Sequence, residues 1–458
     1  MAIVTTRRKD LVPLRASTRA WFLVSLQTFG GPAGQIAVMH TEFVERRRWI
    51  GDRRFLHALS YCTLLPGPEA QQLAIYLGWL LNGTLGGLIA GVLFVLPGAV
   101  AILILSIIYA GWGDTTFVSA LFAGIAPAVV AIVTQAVVRL SSRALIRTAH
   151  VVLAVASFAA LAVFAVPFPI VIAAAGLIGF GLGRLRPDLL ESTSTPGHRS
   201  ATDPGPPPLI ADDALHGETG SRGRAARILA IGLTLWIVPT LVVIEVLGRD
   251  SVIARQGVFF SGTALVTFGG AYAVLSFVAQ RAVEVYGWLS ASDMITGLAL
   301  AETTPGPLIM VVQFVGFMGA YNHPGDLDPW VAGVLASLLV TWVTFVPCFL
   351  FIFLGAPHVE GLRHNTALSA AMTGITAAVV GVIANLALFF ALNTLFDSVS
   401  IETFGPLRLQ VPQLGSFDPL AAVVAAIAFV LLFKLRWSVL RALGACAATG
   451  AVLYLITQ

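Results

Sequence analysis

Glu69 follows directly on Pro66-Gly67-Pro68, and Glu302 stands three residues ahead of Pro305, each inside a long apolar run. A charged side chain at the centre of a membrane helix costs at least about 2.5–3.5 kcal/mol on insertion scales, so such groups usually have a partner or a task. Glu69 falls in a first helical turn, where the dipole favours the ionised carboxylate. It reads either as a helix-capping group or as a proton carrier whose protonation alternates with an anion. Glu302 divides between proton carriage and a place facing water.

The sequence around the carboxylates suggests the anion. A proline in the first helical turn loses no hydrogen bond and its fixed φ suits a helix start. Pro66-Gly67-Pro68 and Pro305-Gly306-Pro307 therefore begin helices in mid-run, and Phe29-Gly30-Gly31 and Phe268-Gly269-Gly270 interrupt two more. Each restart exposes backbone N–H groups and the positive end of a helix dipole, which bind anions. Four such ends, each worth about half an elementary charge, would sum to roughly +2 and match a small dianion without a buried arginine. Gln35, Thr63, Gln71, Gln72, Thr303, Thr304 and Gln313 lie near the same breaks, where they could bond oxyanion oxygens or serve helix packing. A single break could equally be a kink; matched pairs favour a site.

Other chemistry finds little support. Cys62, Cys348 and Cys446 are far apart in apolar surroundings, and His40, His57, His323, His358 and His364 show no ligand spacing, so neither a metal nor a cofactor is expected. No nucleophile–base pair or phosphate loop accompanies the carboxylates. An intramembrane enzyme using Glu69 and Glu302 as acid and base remains a minor alternative. Hydrophobic residues make up 57% of the chain and charged residues 11%, with a mean hydropathy of +0.88, which excludes an ordinary soluble domain. The net charge of +4 does not indicate nucleic acid, because the basic residues sit in short loops where they orient membrane proteins. Arg46, Arg47 and Arg48 are read as such anchors.

The elements that must position these groups come in two copies. From Thr28-Phe29-Gly30-Gly31 to Thr267-Phe268-Gly269-Gly270 is 239 positions, and Trp49 and Pro66-Gly67-Pro68 recur at the same offset as Trp288 and Pro305-Gly306-Pro307. Two apolar halves broken at matching depths mark a secondary transporter with its site between repeats. The basic clusters at the N-terminus, 46–54, 139–147 and 184–186 fit one side of the membrane only if 21–39 and 55–81 dip in and return as re-entrant hairpins. Crossings follow at about 84–110, 116–138, 149–166 and 168–183. An extra apolar stretch, 228–247, then carries the chain across, so the second copy should be inverted; it has Val285-Tyr286-Gly287 where the first has Arg46-Arg47-Arg48.

The expected fold is an all-α integral membrane protein of two homologous, inverted-topology repeats with broken helical hairpins, nine crossings and four hairpins in all. Its divisions are a basic cytoplasmic segment 1–19, a first repeat 20–186, a flexible cytoplasmic linker 187–227, a connecting helix 228–248 and a second repeat 249–458. The N-terminus is expected inside and the C-terminus in the periplasm.

Phe29-Gly30-Gly31-Pro32-Ala33-Gly34-Gln35, the run Leu64 to Leu73, Phe94-Val95-Leu96-Pro97-Gly98, Thr267 to Gly270 and Glu302-Thr303-Thr304-Pro305-Gly306-Pro307 resemble the motifs of the chromate transporter family in its long, two-domain form. The resemblance implies a carrier in the bacterial inner membrane that expels chromate, a tetrahedral dianion, with sulfate as competitor. Sulfate or other oxyanion uptake is the alternative, and a homodimer is one option for assembly.

Overall fold

The structure, a computed structural model, describes residues 11–29, 31–113, 115–185, 207–210, 222–268, 270–356 and 366–457. Gly30, Gly269, the start of the basic segment, His358, His364 and most of the expected linker lie outside the described residues. In the first half come α1 (Leu14–Ser25), α2 (Gly31–His40), α3 (Asp52–Cys62), α4 (Glu69–Trp112), α5 (Thr116–Ala144), α6 (Thr148–Ala162) and α7 (Phe168–Leu185). Then follow α8 (Arg222–Leu247), α9 (Val252–Val266), α10 (Ala271–Ala279), α11 (Ala291–Thr303), α12 (Val311–Asn322), α13 (Pro329–Gly355) and α14 (Thr366–Leu395). An antiparallel hairpin of β1 (Val399–Phe404) and β2 (Leu407–Pro412) precedes α15 (Pro419–Phe429) and α16 (Val439–Thr457). The protein is an all-α, multi-pass membrane protein, with six described helices long and apolar enough to cross: α4, α5, α7, α8, α13 and α14.

Helices stop at the breaks. α1, α3, α9 and α11 have 12, 11, 15 and 13 residues, which at about 1.5 Å per residue fall short of a hydrocarbon core of about 30 Å. α4 is two helices, because Asn82 and Gly83 leave helical geometry, with Gly83 at φ 63°. There the chain doubles back, and a side chain on Gly78 would strike the Gly86 carbonyl and Ala90. Small residues thus let segments 69–81 and 84–112 lie in contact.

The duplication reaches the backbone. A π-turn at Thr41–Arg46 after α2 recurs at Gln280–Val285 after α10. Positive φ angles recur in step: Gly31 at 75° and Gly270 at 97°, Arg48 at 52° and Gly287 at 61°, Gly67 at 125° and Gly306 at 104°. Trp49 N–H donates to Phe43 at 2.9 Å and Trp288 N–H to Ala282 at 2.8 Å, closing the same C-terminal cap around the left-handed residue.

The halves pack as one body. α14 of the second half lies against α5, α6 and α7 of the first, and α13 lies against α4, α8, α9 and α12. Pro239 has no N–H to give, which frees the Leu235 carbonyl in α8; the Trp342 indole on α13 donates to it at 2.6 Å. The described part of the expected linker is pinned at one point. Ile210 pairs in parallel with Ile50, receives the Gly51 N–H at 2.9 Å and is buried. Composition alone gives a solvated segment there, yet Ile210 joins the buried cluster that holds Ile50 and Phe43, while Leu209 beside it stays exposed. Residues 222–227 are already helical, as the first turns of α8.

Candidate functional site

The four breaks meet by exchange. Gly67 N–H donates to the Thr267 carbonyl at 2.8 Å, and Gly306 N–H donates to the Thr28 carbonyl at 3.0 Å. Each Pro-Gly-Pro turn thus bonds the carbonyl just ahead of the Phe-Gly-Gly break in the other copy. The long helices support the exchange in the same crossed sense. Gly306 packs on Gly98 of α4, while Gly67 packs on Cys348 of α13. A side chain on Gly98 would collide with the Pro305 carbonyl. Gln35 Nε2 donates to the Gly306 carbonyl at 2.5 Å, Gln313 Nε2 to Ala99 at 3.0 Å and Gln72 Nε2 to Pro66 at 2.6 Å.

Beside this junction lies a cavity of about 440 Å³. Its walls include Gly31 at the start of α2, Gly270 and Tyr272 at the start of α10, and Glu69 at the start of α4. Neither α4 nor α10 has a side-chain cap at its N-terminus, so first-turn amides and positive dipole ends adjoin the space. Glu302 also lines it; the side chain is buried and accepts a hydrogen bond from the Tyr272 hydroxyl. From α5 come Gln135, Arg139 and Arg143. Their four-residue spacing puts them on one helical face. Arg139 donates to the Gln135 side-chain oxygen at 3.1 Å and is exposed. The cavity combines two cations, two carboxylates and helix N-termini, a set able to hold an anion and shift protons.

Gly31, Glu69, Phe268, Gly270, Glu302 and Thr63 are brought together at the cavity wall. Phe29, Gln35, Pro66, Gly67, Pro68, Gln71, Gln72, Thr303, Thr304, Pro305, Gly306, Pro307 and Gln313 are not among its lining residues. Many of these build the junction behind it. The Gly67 and Gly306 amides are occupied by the exchange, and the Thr303 and Thr304 hydroxyls donate to Leu300 and Ala301 one turn back. Gln71 is fully buried, with no hydrogen-bond partner for its side-chain amide. Arg46 and Arg47 lie away from the cavity and pair with Glu42, Arg47 at 2.6 Å. Sequence reasoning missed Arg139, Arg143, Gln135 and Tyr272 as site residues. The 135–139–143 spacing was a usable signal, and Tyr272 stands out as a hydroxyl just past a Gly-Gly break. No group of three His, Cys, Asp or Glu side chains suited to a metal occurs among the described residues.

The chain matches the family described as chromate transporter over residues 16–180 and 255–451. It is 31% identical over 363 residues to a chromate transport protein of Pseudomonas aeruginosa, covering 78% of this chain and 76% of the relative. It is 28% identical over 372 residues to a chromate transport protein of Cupriavidus metallidurans, covering 81% and 80%. A probable chromate transport protein of Synechococcus elongatus is 25% identical over 92% of this chain and 96% of its own length. No solved structure matches.

Proposed function

From the premise that the chain belongs to the chromate transporter family, we propose that it exports chromate from the cytoplasm across the bacterial inner membrane, with sulfate as competitor. Membrane transport is the family's business; the direction, the site and the coupling are our reading. The observation that carries it is the 440 Å³ cavity whose wall Arg139 and Arg143 share with the uncapped starts of α4 and α10. The arginines draw the dianion into the mouth and the helix N-termini hold it further in. Under the positive-inside rule this mouth is cytoplasmic, the N-terminus lies inside, the second repeat is inverted and the C-terminus lies outside.

An inside-negative potential drives outgoing charge by about 2.3 kcal/mol per unit per 100 mV, so a dianion gains about 4.6 kcal/mol. Export therefore requires little further coupling. Glu69 and Glu302 flank the site: ionised, they balance the two arginines of the empty cavity, and protonated, they let the dianion take over that balance. The transport names of the relatives favour this carrier over an enzyme built on the same pair.

Inside-out vesicles supplied with labelled chromate or sulfate test the reading. Uptake should occur, should rise with an imposed proton gradient, and should lose that rise in Glu302→Gln while the protein remains inserted. Vesicles that move neither anion would refute it.

A further inference from the structure

A second cavity, of about 190 Å³, lies beyond the first along the groove between α10 and α14. Along α10 and the π-turn after it, the wall passes from Tyr272 in the main cavity to Ser276 and Gln280 in the second, and on to Glu284. The four-residue step from Tyr272 to Ser276 puts that pair on one face of α10, and Gln280 and Glu284 continue the polar lining in the π-turn. On α14 the main cavity ends at Ile383 and the second begins at Asn385. The linings of the two spaces thus come within two residues of each other on α14 and four on α10, about 3 and 6 Å of helical rise. At roughly 30 Å³ per water, the second space has room for a tetrahedral oxyanion with a few waters.

The β1–β2 hairpin roofs it. Arg408 N–H donates to the Val163 carbonyl at 2.8 Å, tying the hairpin to the end of α6. Gln410 Nε2 donates to Glu284 Oε1 at 2.7 Å, and Arg408 also lines the cavity. A carboxylate therefore occupies the hairpin's amide donor beside its guanidinium. A larger space at the same end, about 530 Å³, has Asp418 in its wall and neither Arg nor Lys among its lining residues. It suits an anion less.

We propose that the hairpin-roofed cavity is a second oxyanion station, the exit half of the path, and that Glu284 stands in for the anion on Gln410 and Arg408 while the hairpin is closed. It rests on the oxyanion reading above. In transport the partition at Tyr272 and Ile383 opens, the anion takes the Gln410 and Arg408 donors, Glu284 is displaced, and the hairpin swings from α10 to release it.

The three native cysteines are buried, so single introduced thiols can be probed by membrane-impermeant methanethiosulfonates, with sulfate as the non-oxidising protecting anion. Ser276→Cys should react from the side opposite to that which reaches Arg139→Cys, and sulfate should slow the reaction. In the double variant Ala279→Cys/Leu409→Cys, at two positions that line the cavity and offer the anion no side-chain donor, a short reducible thiol cross-linker should lower labelled-sulfate flux about tenfold, as closing a gate does. Reduction should restore it, which also shows that the variant is folded. Labelling of Ser276→Cys only from the Arg139 side, or full flux in the cross-linked protein, would overturn the station. If the parent protein moves neither sulfate nor chromate, the oxyanion reading falls and this one with it; if flux is normal and the cross-link is silent, only the second station falls.

Discussion

At the scale of single residues, the arginines of α5 separate capture from architecture. Arg139 and Arg143 are exposed residues of the cavity wall and are not part of the crossed junction, so neutralising one should weaken binding and leave the fold intact. We expect Arg139→Gln to raise KM for the transported oxyanion about tenfold, equal to about 1.4 kcal/mol, with Arg139→Lys partly retaining affinity. An unchanged KM in vesicles of matched protein content would remove Arg139 from the site. Arg48 offers a test of pure conformation. It sits at φ 52° where its counterpart is Gly287 at 61°. Left-handed geometry costs a non-glycine residue about 1–2 kcal/mol, so Gly287→Val should lower the melting temperature in detergent; equal melting would mean the cap relaxes.

These residues also show what was readable in the sequence. The breaks were legible because Gly and Pro are chosen by backbone conformation, which Gly31, Gly67, Gly270 and Gly306 display directly as positive φ. Glu69 and Glu302 were legible because a carboxylate in an apolar run is conspicuous. The Gly67 and Gly306 amides were not, since their partners are backbone carbonyls more than a hundred residues away. Arg139 carried two readings in one residue: a charge near a helix end marks both orientation and a cavity mouth, and only the facing helices choose between them.

At the scale of elements, the tight point is the contact of α4 with the second Pro-Gly-Pro turn. Gly98 leaves no room for a side chain beneath Pro305, and Gly306 holds φ 104°. Gly98→Val should therefore abolish stable insertion, and Gly306→Ala should cost about 1–3 kcal/mol through strain alone. Detergent melting of the purified variants decides it, and parent-like melting of both would show that the junction yields.

The hairpin gives a second test. Glu284 lies past the end of α10, outside the spanning segments, where burial raises its carboxyl above the usual range although Arg408 and Gln410 oppose the shift. The folded protein then holds that proton more tightly than the unfolded chain. The resulting stabilisation is complete below the ordinary value of about 4.3 and is lost as pH rises through the raised one. Glu284→Gln should flatten the dependence of melting temperature on pH across that interval. Parallel curves for parent and variant would contradict it.

Over the whole molecule, the proposed inversion makes a prediction about sides. Cysteines placed at Arg47 and at Tyr286, equivalent positions in the two copies, should label from opposite faces of the membrane; labelling from one face would eliminate the inverted arrangement. The packing of α14 among α5, α6 and α7 also means that neither half has a complete core. Separately expressed halves, cut within the linker, should therefore restore flux only when made together.

The reciprocal bonds from Gly67 to Thr267 and from Gly306 to Thr28 bear on descent. A single copy would leave its Pro-Gly-Pro amide without that carbonyl, and could complete the junction only against a second molecule. Once joined, the two sides of the junction need not stay alike, and they do not: Gly306 meets Gly98 where Gly67 meets Cys348.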